Sequence, residues 1–215
     1  MKIINVDWNT YLDVFPDRYI NLGPFDDLIN KTVTNLLNKN KTIDALDVGG
    51  GKEGTLALKN PNIKTWLVDP FITNLPEWMI SNWKNLKAIP NDNNQKYHLI
   101  VARGSFNYLT GIEMRCICDR LKSGGIFLFN TFMLPKTGER SYVNSKTQIK
   151  GIERYYDEGR IIRHQLIPEN GENIIEHNFY IWSKKMIEFL LHDLGGLELT
   201  ITQEKNSLYI MATKL

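Results

Sequence analysis

Two aspartates and three glycines carry the most legible chemistry of this chain. Asp47 stands at the end of the apolar run 43-IDALDV-48, Gly49, Gly50 and Gly51 follow, and Asp69 closes the next run, 63-IKTWLVD-69. Gly49, Gly51 and Gly54 satisfy GxGxxG, and Asp69 lies 18 residues after Gly51. In that pattern the glycines let backbone approach a nucleotide closely, and the later acid bonds ribose hydroxyls. The pattern alone admits a nicotinamide dinucleotide, or a tight strand-to-helix turn with no ligand. Asp47 pulls away from the dinucleotide, because a fixed carboxylate there repels a pyrophosphate and suits a cationic amine.

Other chemistry-bearing residues lie further along. The run 97-YHLIVA-102 leads into Ala102, Arg103, Gly104 and 105-SFNYL-109. Asn107 and Tyr108 can hydrogen-bond a ligand there, or cap the helix that follows. Arg103 can reach an anionic group or form a surface salt bridge. Alternate strand residues share a face, so His164 goes with Ile162 and Leu166, and His177 with Ile175 and Phe179. A histidine on an apolar face is a base or, more often, a satisfied core residue. Arg163 and Glu176 belong to the polar face, where cross-strand pairing explains them. Tyr155 and Tyr156 are adjacent, so only one of them points inward.

The elements that must position these residues follow from periodicity. Phe25, Leu28, Ile29, Val33, Leu36 and Leu37 recur at helical spacing in 24–38, after Pro24 and with Asp26 and Asp27 at the positive helix end. Strands are expected at 43–48, 63–69, 97–102 and 126–132, with a weak one at 85–90. Helices are expected at 52–60, 76–84 and 110–121, the last broken by 123-SGG-125. Strand and helix in alternation imply a parallel sheet with helices on both faces. Strands at 152–157, 161–167 and 174–182 form an antiparallel meander, joined by DEG and PENGEN turns. A helix over 183–194 starts at a Ser N-cap, and 197–203 with 207–214 form a closing hairpin. The expected fold is α/β, a Rossmann-like, doubly wound, mostly parallel sheet with a C-terminal antiparallel hairpin and an inserted β meander. Its parts are an N-terminal helical cap at 1–40, a core at 41–132 and 183–215, and an insertion at 133–182.

These motifs, in this order, resemble those of class I S-adenosylmethionine-dependent methyltransferases of the small-molecule type. Asp47-Val48-Gly49-Gly50-Gly51 is similar to their first motif, Asp69 and Pro70 in 66-WLVDP-70 to the second, and 121-LKSGGIFLF-129 to their turn into strand five. The resemblance covers roughly 43–132 and returns at 183–214. It implies that Asp47 holds the methionine ammonium, directly or through water, that Gly49 to Gly51 line the cofactor, and that Asp69 accepts the ribose hydroxyls. Ala102 and Arg103 then lie near the sulfonium, and Leu86, Lys87 and Ala88 near adenine, with Asp92 as a weaker candidate. The family commonly has glycine where Glu53 stands; here Gly54 comes one residue later, so the turn is wider or Lys52 and Glu53 are already helical. The stretch between Asp69 and His98 is also short for the family's third strand. The meander is the implied substrate cover, with Tyr155, Tyr156 and Arg163 on the acceptor and His164 or His177 as a base. Tyr11 and Tyr19 are the implied closing residues, although Trp8, Tyr11 and Phe15 also fit the core stripe of a helix.

Composition narrows the function classes. Twenty-six Lys and Arg against 24 Asp and Glu leave a net charge of +2, too mild for a nucleic-acid surface. No apolar run reaches the ~20 residues that cross a bilayer. Cys116 and Cys118 are two apart in an expected helix and point to different faces, so neither a disulfide nor a metal site is expected. The expectation is therefore a cytoplasmic enzyme, monomer or homodimer, that binds S-adenosylmethionine and a small-molecule acceptor, with no metal, nucleic acid or membrane. Two rivals stand beside it: an NAD(P)-dependent oxidoreductase, and a non-catalytic cofactor-binding relative acting through the meander.

Overall fold

A computed structural model describes residues 22–69, 72–86, 89, 95–132, 139–143, 150–156, 161–167, 175–180, 183–204 and 207–215; for 132, 139–143, 150–156, 161–167 and 175–180 it describes the backbone alone. The chain divides into two compact units. One is Gly23–Phe132 with Ser183–Leu215, the other Met1–Leu22 with Met133–Trp182.

The larger unit is built on a seven-stranded sheet. Its strands are β1 (Ile43–Val48), β2 (Ile63–Val68), β3 (Trp83–Leu86), β4 (Tyr97–Ala102), β5 (Leu121–Phe132), β10 (Leu197–Glu204) and β11 (Ser207–Lys214). The order is β10-β11-β5-β4-β1-β2-β3. Strands β1 to β5 pair in parallel, whereas β11 runs antiparallel to both β5 and β10. The chain winds outward from β1 to β3 and then resumes on the other side of β1 at β4. That reversal leaves a crevice at the carboxyl ends of β1 and β4, where such sheets bind ligands.

Helix α1 (Gly23–Lys39) buries Phe25, Ile29, Val33 and Leu36 against Ile43, Ala45, Ile63, Leu67, Leu99, Val101 and Leu128. Phe25 also stacks on Tyr209 of β11, with centroids 5.8 Å apart. The helix expected in a cap over 1–40 is thus part of the core unit, because its apolar stripe is the cover of one sheet face. On the opposite face of β5, Phe127 and Phe129 meet Phe106, which stacks on Phe129 at 3.9 Å.

Helix α2 (Gly111–Asp119) begins at a capping box: Thr110 accepts the Glu113 amide and Glu113 accepts the Thr110 amide. Helix α3 (Lys184–Asp193) starts, as expected, at Ser183, whose hydroxyl accepts the Met186 amide. Two of the expected helices are replaced by short 3₁₀ turns, Leu56–Leu58 and Glu77–Met79. The first cannot lengthen because Gly54 sits at φ +60° and Asp47 claims the Thr55 amide. The second gives way because Trp83 already enters β3 beside Thr65, so that strand starts two residues before the expected 85. Helix α2 does end before 123-SGG-125, at Asp119, but these residues lie inside the next strand and not ahead of it. Strand β5 runs through them with a register shift against β4, where Gly125 lies too close to the Tyr97 and Lys122 carbonyls for any Cβ.

The second unit holds a four-stranded antiparallel sheet of β6 (Glu139–Val143), β7 (Lys150–Tyr156), β8 (Ile161–Ile167) and β9 (Ile175–Tyr180), in that order. Three of its strands were expected from alternation. The fourth, β6, reads ERSYV and carries no apolar alternation to reveal it.

Candidate active site

The glycine turn is held from three sides. Asp47 points into the α1 side of the sheet and is fully buried. Its Oδ2 accepts the Thr55 amide at 2.7 Å and its Oδ1 accepts the Thr55 hydroxyl at 3.0 Å, which draws the far end of the turn back onto β1. Gly50 passes directly over this carboxylate, and a Cβ there would lie 2.3 Å from Oδ2. Burial pushes the Asp47 carboxyl up to about 6, against the lowering effect of the Thr55 bonds and of Arg103, with nearby Asp69 adding to the rise.

Asp69 supplies the second hold. It stands at the end of β2, buried, and its Oδ2 accepts the Gly51 amide at 2.9 Å. Beside it the Gly49 amide donates to the Val68 carbonyl at 2.7 Å. Gly49 and Gly51 take φ of +72° and +65°, a region that strains other residues. A Cβ on Gly51 would point into open space, as a ligand-facing position requires. Lys52 and Glu53 are in a turn and not in a helix, and Gly54 fits under Trp83 and Met79, each 2.8 Å from where its Cβ would be. The late glycine is therefore a packing requirement of the widened turn.

The third hold comes from the segment after β4. The Ser105 hydroxyl donates to the Val48 carbonyl, and its Cβ lies 2.5 Å from where a Gly49 Cβ would be. Ala102 is fully buried at the end of β4. Arg103 makes a bidentate pair with Asp26 in the first turn of α1, Nε to Oδ1 at 2.6 Å and the terminal nitrogen to Oδ2 at 2.8 Å. Asn107 is fully buried and donates to Thr131 on β5 at 2.8 Å. Tyr108 is half-buried in the 3₁₀ turn Phe106–Tyr108.

The geometry thus gathers Asp47, Gly49, Gly50, Gly51, Asp69, Ala102, Arg103, Asn107 and Tyr108 at one edge of the sheet. The sequence matches no protein-family model and no curated protein. The structure does have solved counterparts. An S-adenosylmethionine-dependent methyltransferase from Clostridium acetobutylicum superposes with a TM-score of 0.63 at 16% identity, over 96% of this chain and 97% of that one. The CcbJ methyltransferase from Streptomyces caelestis gives 0.61 at 12% identity, over 86% and 89%. The glycopeptide N-methyltransferase MtfA, complexed with S-adenosyl-L-methionine, gives 0.52 at 12% identity, over 87% and 94%.

The fold is that of the class I methyltransferases. Within a methyltransferase fold, the switch-point crevice between β1 and β4 is the edge to which the glycine turn, Asp69 and Arg103 belong.

Several expected residues have no described side chain. Tyr11, Tyr19, Pro70, Lys87, Ala88 and Asp92 fall outside the described residues. Tyr155, Tyr156, Arg163, His164 and His177 lie on strands of the second unit. Backbone register sets His164 opposite His177, Ile162 opposite Phe179 and Leu166 opposite Ile175, and it sets Glu153 opposite His164 on the other side.

Residues not singled out from sequence also serve this edge. Thr55, Ser105 and Asp26 hold the turn and the segment after β4. Asn85 on β3 donates to the Ile72 carbonyl at 2.7 Å, close behind Asp69, and its Oδ1 is buried without a partner among the described residues. Asn130 on β5 accepts the Gly104 amide at 2.7 Å. A signal for Asn130 was available, since Asn130 and Thr131 interrupt the apolar run IFLFNTF at its carboxyl end. Among the described residues no helix is long and apolar enough to cross a membrane. Cys116 and Cys118 form no disulfide, and burial pushes the Cys118 thiol up to about 12, so it is inert.

Proposed function

We propose that this chain transfers a methyl group from S-adenosylmethionine to the nitrogen or oxygen of a small-molecule acceptor. The observation that carries the reading is the turn itself: a buried Asp47 behind it, an open Gly51 at its front, and Asp69 bonded to the Gly51 amide. These residues suit this cofactor. Asp69 can accept from a further donor, because a carboxylate has about four lone-pair sites, and the ribose hydroxyls are the donors it would meet. Both Asp47 oxygens are held by Thr55, so Asp47 acts on the ligand's ammonium through its field or a bridging water. The open side of Gly51 admits the ligand backbone where a side chain would block it.

The bound cofactor supplies an electrophilic methyl on a sulfonium. The residues of this chain supply alignment. Asp69 and the glycine backbone fix the nucleoside end, while the Arg103–Asp26 pair and the Asn107–Thr131 bond keep the segment after β4 in register with the turn. Alignment of this kind supplies most of the rate in a direct displacement. Tyr155, Tyr156, Arg163, His164 and His177 are proposed to choose the acceptor and, where it must lose a proton, to take it; sequence alone supports this part. Tyr11 and Tyr19 are proposed on the same ground to exclude water.

The test is incubation of the protein with methyl-labelled S-adenosylmethionine and a broad set of small amines and alcohols. Label should pass to at least one acceptor, with S-adenosylhomocysteine formed in equal amount. Tight cofactor binding with no transfer to any acceptor would favour a non-catalytic binding protein.

A further inference from the structure

Asn130 and Thr131 are neighbours on β5 and lie on opposite faces of the sheet, and each grips the segment after β4. Thr131 Oγ1 accepts from Asn107, and Asn130 Oδ1 accepts the Gly104 amide. Asn130 is 1% exposed, yet its Nδ2 has no hydrogen-bond partner among the described residues. The amide orientation is set by the network, since the oxygen must face the Gly104 N–H.

Register places this leftover donor. Asp47 pairs with Val101, and Val101 with Leu128. Two residues further along each strand come Gly49, Arg103 and Asn130, and Asn130 is opposite Tyr209. Asn130 therefore belongs to the row that contains the first glycine of the turn and the one cation of that row. Arg103 is bound bidentately by Asp26. Accepting from Gly104 leaves this donor unused, and a buried donor without a partner destabilises a fold. Its presence at a binding edge points to a ligand oxygen.

We infer that Asn130 positions the carboxylate end of the bound cofactor: its oxygen holds the Gly104 turn, and its amide N–H pairs with the carboxylate. The inference rests on the methyltransferase reading above. A neutral donor suits this place, because it binds a carboxylate without adding charge next to the Arg103–Asp26 pair.

The test compares two probes by calorimetry, S-adenosylhomocysteine and 5′-methylthioadenosine, the second of which lacks the amino-acid end. Asn130→Leu should weaken S-adenosylhomocysteine about 10-fold, as expected for one lost hydrogen bond to a charged group, and leave 5′-methylthioadenosine within about 2-fold. In the unaltered protein, the Asn130 side-chain NH2 signals in a nitrogen-15 spectrum should move with S-adenosylhomocysteine and stay in place with 5′-methylthioadenosine. That spectrum decides the matter if Asn130→Leu does not fold. Equal weakening of both probes, or NH2 signals unmoved at saturation, overturns the Asn130 assignment alone. An unaltered protein that binds neither probe overturns the proposed function and this inference with it.

Discussion

Asp69 Oδ2 accepts the Gly51 amide at 2.9 Å, a bond that joins the end of β2 to the glycine turn after β1. One carboxylate thus shapes the turn and faces the edge where the ribose is proposed to lie. Asp69→Ala should lower affinity for S-adenosylhomocysteine at least about 10-fold, since hydrogen bonds to charged groups contribute about 1.5–3 kcal/mol each. Calorimetry on the variant checks this, and unchanged affinity would contradict the ribose role.

The glycines of the turn should differ in what they tolerate. Gly51→Ala places its Cβ in open space but at φ +65°, so it should cost about 1–2 kcal/mol of stability. Gly50→Ala has no such φ, yet its Cβ would lie 2.3 Å from the buried Asp47 carboxylate. Gly50→Ala should cost more than Gly51→Ala, about 3 kcal/mol, at the upper end of overpacking effects. Urea denaturation of the two variants ranks them. The opposite ranking would mean that Asp47 moves away at little cost.

Asp47 should make both binding and folding depend on pH. Its folded value, about 6, lies above the ordinary value of 3.8. The protonated form therefore stabilises the fold fully below about 3.8, and that contribution is lost as pH rises through 6. A cationic ligand favours the ionised form, so affinity for S-adenosylhomocysteine should rise from pH 5 to pH 7, with proton release on binding. Asp47→Asn keeps an acceptor for the Thr55 amide and removes the charge. It should weaken binding about 10-fold, as for a charge-assisted interaction lost, and flatten the pH profile. Calorimetry in buffers of different ionisation enthalpy measures the released proton.

His98 should impose the opposite slope at the other end of the sheet. Its ring accepts the Asp44 amide at 2.9 Å through Nδ1, and Lys122 Nζ lies 3.2 Å from Nε2 while it pairs with Asp44 at 2.8 Å. Burial and the Lys122 charge lower the His98 value below 6.5. The unfolded chain then binds the proton more readily than the folded one. Stability from neutral His98 is present above about 6.5 and is lost as pH falls from there through the lowered folded value. The melting temperature should fall on acidification in that window, and less steeply in His98→Asn, whose carbonyl can still accept the Asp44 amide. Equal slopes in the two proteins would remove His98 as the cause.

The parts of this molecule that were readable in the sequence are those with local causes. The stripe from Phe25 to Leu36 implies α1, Ser183 marks the start of α3, and the runs ending at Val48, Val68 and Ala102 imply the central strands. Asp47, the glycines and Asp69 were readable because chain order places them at adjacent strand ends. The rest depends on partners distant in sequence. Thr55 shortens the first crossover only because Asp47 reaches it, and Arg103 meets Asp26 across 77 residues. Asn130 is hard to read from sequence because one polar residue in an apolar strand takes its meaning from Gly104, 26 residues away. Strand β6 has no alternation of its own and exists through pairing with β7.

The central claim is that the glycine turn between Asp47 and Asp69 holds S-adenosylmethionine. Calorimetric titration of the purified protein with S-adenosylmethionine, S-adenosylhomocysteine and NAD tests it most directly. The account predicts saturable one-to-one binding of both methionine derivatives and no heat with NAD. Binding of NAD with neither derivative bound would contradict it.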